Sequence, residues 1–128
     1  MRALIIGGAG FVGGYLIREL AAAGYETHAT CLPSEKIESS DCKVHTLDIL
    51  QKDSVSELFR SVSPDAVFHL AAQSSVSVSW KKPQLTAEIN VIGSINVLEA
   101  MRECGKSMRL ILIGSGEEYG FIREGACP

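Results

Sequence analysis

The sequence predicts an α/β fold, a doubly wound parallel sheet with strand order 3-2-1-4-5 that is incomplete at its C-terminal side. Three observations predict it. Short runs that are apolar on both faces alternate with segments whose apolar residues recur at helical spacing, as in a parallel sheet covered by helices. A glycine cluster, GGAGFVG, stands between the first run and the first helical segment. Strand-helix-strand crossovers are right-handed, which arranges the strands outward from the first one.

Ala3 to Ile6 is the first predicted strand, and Val12 to Ala23 the first helix, with Gly24 where a C-terminal glycine belongs. Glu26 to Cys31 and Lys43 to Leu47 are the second and third strands. In SVSELFRSV, Val55, Leu58, Phe59 and Val62 share one helical face, and Ser54 with Glu57 has the spacing of a capping box. Ala66 to Leu70 is the fourth strand. SSVSVSWKKP is expected to be a polar loop, followed by one long helix from Pro83 to Cys104 with Gly105 past its end. Leu85, Ile89, Ile92, Ile95, Leu98 and Met101 form its apolar stripe, with Val91 and Val97 off it. That excess implies a second covered surface besides the sheet. Leu110 to Ile113 is the fifth strand.

Composition narrows the function classes. The chain has 128 residues, 46% of them hydrophobic, and a net charge of −3, which describes one acidic globular domain over residues 1–128. No run of lysine and arginine exceeds two residues, so neither a nucleic acid nor an anionic membrane is an expected partner. MRALIIGGAGFVGG is too short in its apolar part for a signal peptide, and no later stretch has bilayer length, so a cytoplasmic location is expected. Cys31, Cys42, Cys104 and Cys127 are scattered without metal-ligand spacing and are expected to be reduced thiols; no metal site is expected.

The glycine cluster carries the first chemistry. Gly7, Gly10 and Gly13 make a G-x-x-G-x-x-G arrangement with Phe11 and Val12 between them. One glycine permits the turn, one permits close approach to a pyrophosphate, and one lets helix pack on strand. The helix N-terminus adds free N–H groups and partial positive charge. Placed after a strand and before a helix, this is a dinucleotide-binding signature of the Rossmann kind. An acid usually ends the second strand and holds the ribose hydroxyls, but Cys31 stands there and Glu35 comes four residues later. Loss of that acid removes a repulsion against a 2′-phosphate. The reading therefore favours NADP over NAD as cofactor, with Ser34 and Lys36 as candidate contacts.

Four further segments, LDI at 47–49, HLAAQSSV at 69–76, INVIGSINVLEA at 89–100 and GSGEEYG at 114–120, together with the glycine loop resemble the extended short-chain dehydrogenase/reductases that act on nucleotide sugars. AAQSSVSVSW and IGSGEEYG are most similar to the GDP-4-keto-6-deoxy-D-mannose reductases of that group, with the GDP-mannose 4,6-dehydratases and sugar 4-epimerases as near relatives. The resemblance implies that Asp48 hydrogen-bonds the adenine amino group beside the Ile49 main chain, although an aspartate there can instead cap the following turn. It implies that Leu70, Ala71, Ala72 and Gln73 line the cofactor channel, that Asn90 helps hold a water in a proton relay or serves structure alone, that Ser115 hydrogen-bonds the reacting oxygen, and that Glu117 is the acid the dehydratases use. It also implies a homodimer through the helix Pro83 to Cys104. His69, inside an apolar strand, reads as a core histidine rather than a base.

The chain departs from the pattern at Ile6, where a threonine is common, at Gly116 in the serine-rich loop, and at Cys31. In this group the proton-donating tyrosine belongs to a Tyr-x-x-x-Lys motif. Tyr15, Tyr25 and Tyr119 are followed four residues later by Glu19, Ala29 and Arg123, so none has the lysine that would lower its pKa. The 128 residues are therefore expected to be the amino-terminal part of a longer enzyme, inactive alone. That enzyme is expected to reduce a GDP-linked keto sugar at C4, or to be a dehydratase or epimerase. A non-catalytic dinucleotide-binding module is the reading from another class.

Overall fold

The computed structural model describes residues 1–116; Glu117, Tyr119 and Cys127 lie outside them. Five parallel strands, β1 (Arg2–Ile6), β2 (Glu26–Cys31), β3 (Lys43–Thr46), β4 (Ala66–His69) and β5 (Arg109–Leu112), lie in the order β3-β2-β1-β4-β5, as the alternation of runs and helices predicts. Strand faces alternate. Ala3, Ile5 and Ala29 pack under α1 (Phe11–Ala22) against Ile17 and Leu20. Leu4, Ile6 and Val67 face the other way, onto Val55, Phe59 and Val62 of α2 (Lys52–Val62). Gly24, at φ +81°, ends α1 by donating to Ala21.

Three local expectations need correction. The helix holding Leu58 begins at Lys52, so Ser54 and Glu57 lie inside it and form no capping box; the turn after Asp48, closed by Gln51 N–H on the Asp48 carbonyl, starts the helix early. The polar loop contains a short helix, α3 (Val76–Lys81), because Ser75 Oγ accepts the Val78 N–H at its start. The long helix is three pieces: α4 (Pro83–Ala87), a π-helical turn (Glu88–Gly93) and α5 (Ser94–Glu103).

The π turn has a consequence for packing. Its wider turn rotates everything beyond it by about one residue, roughly 100° on a helix. Gly93, Asn96, Val97 and Ala100 therefore face the core, while Ile92, Ile95 and Leu98 of the predicted stripe, with Val91, are 46–54% exposed. Small residues explain the side that wins. A Cβ on Gly93 would stand 2.5 Å from Ile49 Cδ1, so glycine lets the turn settle against the Ile49 side chain without displacing it.

The opposite end of the sheet is closed by charge. Asp65 accepts the Arg2 main-chain N–H at 2.7 Å and Lys106 Nζ at 2.6 Å, and Arg2 Nη1 donates to the Val62 carbonyl. The Lys106 ammonium and the Arg2 amide together hold the Asp65 carboxyl below its ordinary range. Among the described residues no helix is long and apolar enough to cross a membrane.

Candidate functional site

The carboxyl ends of β1, β2 and β4 open onto a cavity of about 720 Å³, the place where an open parallel sheet reverses its winding and collects ligands. The glycine loop forms its floor. Gly7, at φ +86°, turns the chain out of β1, and its amide donates to Thr30 Oγ1 while that of Gly8 donates to the Thr30 carbonyl at 2.7 Å. A Cβ on Gly7 would lie 2.7 Å from Ala71 N, and one on Gly13 would lie 2.1 Å from the Gly8 oxygen. The tight turn and the helix-on-strand contact are thus physical requirements at these two positions. Gly10 is the N-cap of α1 and has no side-chain cap, so the first amides of the helix point toward the cavity without a protein acceptor in the cap position. Phe11 and Val12 stand on its rim, 85% and 57% exposed.

The far wall comes from the segments after β3 and β4. Asp48 borders the cavity, and its Oδ1 accepts the Leu50 N–H at 2.9 Å. The aspartate therefore caps its own turn with one oxygen and keeps Oδ2 clear of hydrogen-bond partners among the described residues. The Ile49 carbonyl is held at 2.9 Å by Nδ2 of the buried Asn96, which fixes this turn to α5. Leu70, Ala71, Ala72 and Gln73 all line the cavity, with the Leu70 and Ala71 amides both donating to the Ile6 carbonyl.

Asn90 does something sequence reasoning left open. Its Oδ1 accepts the Gln73 N–H at 2.7 Å and its Nδ2 donates to the Gln73 carbonyl at 3.1 Å, so the side chain reads both main-chain groups of one residue. Gln73 in turn spends its own amide on Ser75 and Thr86. The lip 71–73 is thereby tied to the π turn. Behind it, Ser94 Oγ donates to the Asn90 carbonyl at 2.8 Å, so His69 Nε2, 3.0 Å away, is the protonated nitrogen that donates to Ser94. His69 is 3% exposed, its Nδ1 has no partner among the described residues, and burial pushes its pKa down. It is a neutral core histidine, as its apolar strand implies.

Ser115 is exposed, two residues beyond Ile113, which borders the cavity. Glu117 lies outside the described residues. Sequence reasoning missed Thr30, Asn96, Ser94 and Gly93. Each acts through a main-chain group or a close contact, and no spacing rule marks such residues. A second cavity of about 410 Å³ lies beside the first, between Gly8 to Gly10, the outer face of α1 with Arg18, and Lys36 to Ser39. Among the described residues no group of three or more His, Cys, Asp or Glu is placed to hold a metal.

A family model described as GDP-mannose 4,6 dehydratase matches residues 4–128. The chain is 37% identical over 127 residues to a GDP-6-deoxy-D-mannose reductase of Pseudomonas aeruginosa, covering 99% of this chain and 38% of that protein. It is 30% identical to a GDP-mannose 4,6-dehydratase of Vibrio cholerae over 96% of this chain and 37% of that one. The crystal structure of a Thermus thermophilus UDP-glucose 4-epimerase in complex with NAD superposes with a TM-score of 0.90 at 37% identity, covering 98% of this chain and 42% of that one. The chain thus spans about two fifths of the length of the relatives it matches.

Proposed function

The chain belongs to the GDP-mannose 4,6 dehydratase family of nucleotide-sugar enzymes, and on that premise we propose that it forms the dinucleotide-binding part of an NAD(P)-dependent reductase of GDP-4-keto-6-deoxy-D-mannose. The observation that carries the reading is the cavity itself. A glycine turn with free helix amides, an aspartate with one uncommitted oxygen and the lip 71–73 border one continuous space. These residues fit a dinucleotide. The α1 amides suit its pyrophosphate, Asp48 Oδ2 suits an amino group such as that of adenine, and the lip reaches toward the nicotinamide end.

Bound there, the nicotinamide supplies or takes up a hydride at C4 of the sugar. The chain's own contribution is positioning. Asn90 holds both main-chain groups of Gln73, so that the lip keeps its shape. Ser115 donates to the carbonyl oxygen of the keto sugar, stabilising the charge that develops on it. No tyrosine among these 128 residues has a lysine four positions on, so none of them has the neighbouring cation that would fit a phenol to give the proton. The exposed stripe Val91, Ile92, Ile95 and Leu98 is the surface of a homodimer.

The choice of reductase rests on AAQSSVSVSW and IGSGEEYG and on the 37% identical relative. Dehydration is the second reading, favoured by Glu117 and by the family match. The test is an assay of the whole protein with GDP-4-keto-6-deoxy-D-mannose and NADPH or NADH, beside GDP-mannose with the oxidised cofactors. Oxidation of the nicotinamide by the keto sugar is expected. Conversion of GDP-mannose without net change in the nicotinamide would make it a dehydratase, and absence of dinucleotide binding would end both readings.

A further inference from the structure

We infer that Glu35 is the acid that selects the unphosphorylated dinucleotide, so that the protein prefers NAD to NADP. The inference rests on the dinucleotide reading above and reverses the preference that Cys31 implies. Cys31 itself is 5% exposed, with its thiol 3.8 Å from the Glu35 carbonyl, and offers nothing to a ribose. The chain compensates within four residues. A tight turn, closed by the Glu35 N–H on the Leu32 carbonyl at 3.0 Å, folds the segment after β2 back onto the strand end. Glu35 Oε2 then accepts the Leu32 N–H at 2.9 Å. The carboxylate is pinned where the strand stops, although its position in sequence is four residues late.

Two features give that placement a ligand. Glu35 borders the same cavity as Gly10, Phe11 and Asp48, that is, the stretch between the pyrophosphate amides and the adenine aspartate, where an adenosine ribose must lie. Its Oε1 has no hydrogen-bond partner among the described residues and is an acceptor for a hydroxyl of the vicinal diol. A 2′-phosphate in that position would bring two negative charges against the carboxylate, a repulsion that a free hydroxyl does not meet. The competing feature is basic. Lys36 and Arg18 line the neighbouring cavity beside Gly8 to Gly10 and could take a phosphate there. They do not border the space that Glu35 and Asp48 share, so a ribose seated in the larger cavity meets Glu35 first.

The experiment titrates NAD and NADP, with nicotinamide fluorescence of the reduced forms as a second readout, against the purified protein and its Glu35→Gln and Lys36→Ala variants. Glutamine keeps an acceptor for the Leu32 amide and removes only the charge, so the turn is retained. We expect the unaltered protein to bind NAD at least about tenfold tighter than NADP, and Glu35→Gln to narrow that ratio by about tenfold, chiefly through tighter NADP. Lys36→Ala should leave the ratio unchanged. An unaltered protein that prefers NADP, a Glu35→Gln ratio that does not move, or a tenfold loss of NADP binding in Lys36→Ala would each overturn the assignment while leaving the dinucleotide site intact. Binding of neither cofactor would instead overturn the site.

Discussion

Ile5 and Ile111 occupy equivalent places on either side of Phe68. Both pair with it in the parallel register and point to the same face of the sheet, yet Ile5 is fully buried and Ile111 is 43% exposed. The next pair, Ile6 and Leu112 about His69, repeats the contrast at 0% and 54%. The difference lies in the covering layer. α1 lies over Ile5 with Ile17 and Leu20, and α2 lies over Ile6, whereas over Ile111 the described residues place no helix. The half of the sheet that builds the glycine loop is a finished core. The β5 flank and the outer face of the helical segment 83–103 are apolar surface of a kind that other protein surface ordinarily covers.

The sharpest way to break this contrast is to attack the finished half where it has no room. Gly13→Ala places a Cβ 2.1 Å from the Gly8 oxygen, and backbone cannot yield as a side-chain tip can. A loss of about 3 kcal/mol or more in denaturant unfolding, or failure to fold, is expected. Gly14, one residue on, has nothing within 4 Å of its would-be Cβ, so Gly14→Ala should gain about 0.5–1 kcal/mol. Equal effects at the two sites would mean that α1 does not pack on the loop as described.

A second comparison uses the matched isoleucines. Ile5→Ala should cost about 2–5 kcal/mol, the range for emptying a filled core site, while Ile111→Ala should cost under about 1 kcal/mol in a monomer. If Ile111 proves as costly as Ile5, a covering partner is present in solution. The helix tests that partner directly. Leu98→Glu changes a 46% exposed residue and Val97→Ala an unexposed one, so Leu98→Glu should abolish a dimer in light scattering at unchanged unfolding free energy per chain. Val97→Ala should lower stability and leave assembly alone. A protein that is monomeric before substitution removes the homodimer.

Legibility follows the same division. The strands of the finished half, the glycine turn and the order 3-2-1-4-5 are readable because each depends on a local rule, whether a run buried on both faces, a spacing of glycines or the hand of a crossover. The core face of the helix 83–103 is not. A stripe counted at uniform α-helical spacing misses the π turn, which shifts every later residue, so Val97 goes inward and Leu98 outward. Glu35 is unreadable for a related reason. Its role depends on a turn between Leu32 and Glu35 that brings a late residue back to the strand end, which position along the chain does not register.

The smallest expected effect concerns acid. His69 is held below its ordinary value of 6.5 by burial, and His45 is lowered first by burial and then by the charges of His28 and Lys43. For both, the folded state disfavours the charged form, so the unfolded chain binds protons more readily from about pH 6.5 downward. Their contribution to stability is therefore complete above that pH and is lost as the pH falls through the folded values. Geometry agrees with this sign. His69 already gives its Nε2 proton to Ser94, and a second proton on Nδ1 would be a buried donor with no acceptor among the described residues. His45 Nε2 lies 2.9 Å from His28 Nδ1, a separation that holds one proton between stacked rings but not two. The carboxylates Glu26, Asp65 and Glu99 are lowered by their lysine and arginine partners from values of 4.5, 3.8 and 4.5, so their losses begin only at more acidic pH. Denaturant midpoints measured between pH 8 and 5 should be flat at first and then decline below about 6.5, and the decline should be shallower in His69→Gln, whose amide can still donate to Ser94. A midpoint that rises on acidification, or a His69→Gln curve parallel to the original, would mean that His69 accepts its second proton without cost and that the face under the π turn is open to water.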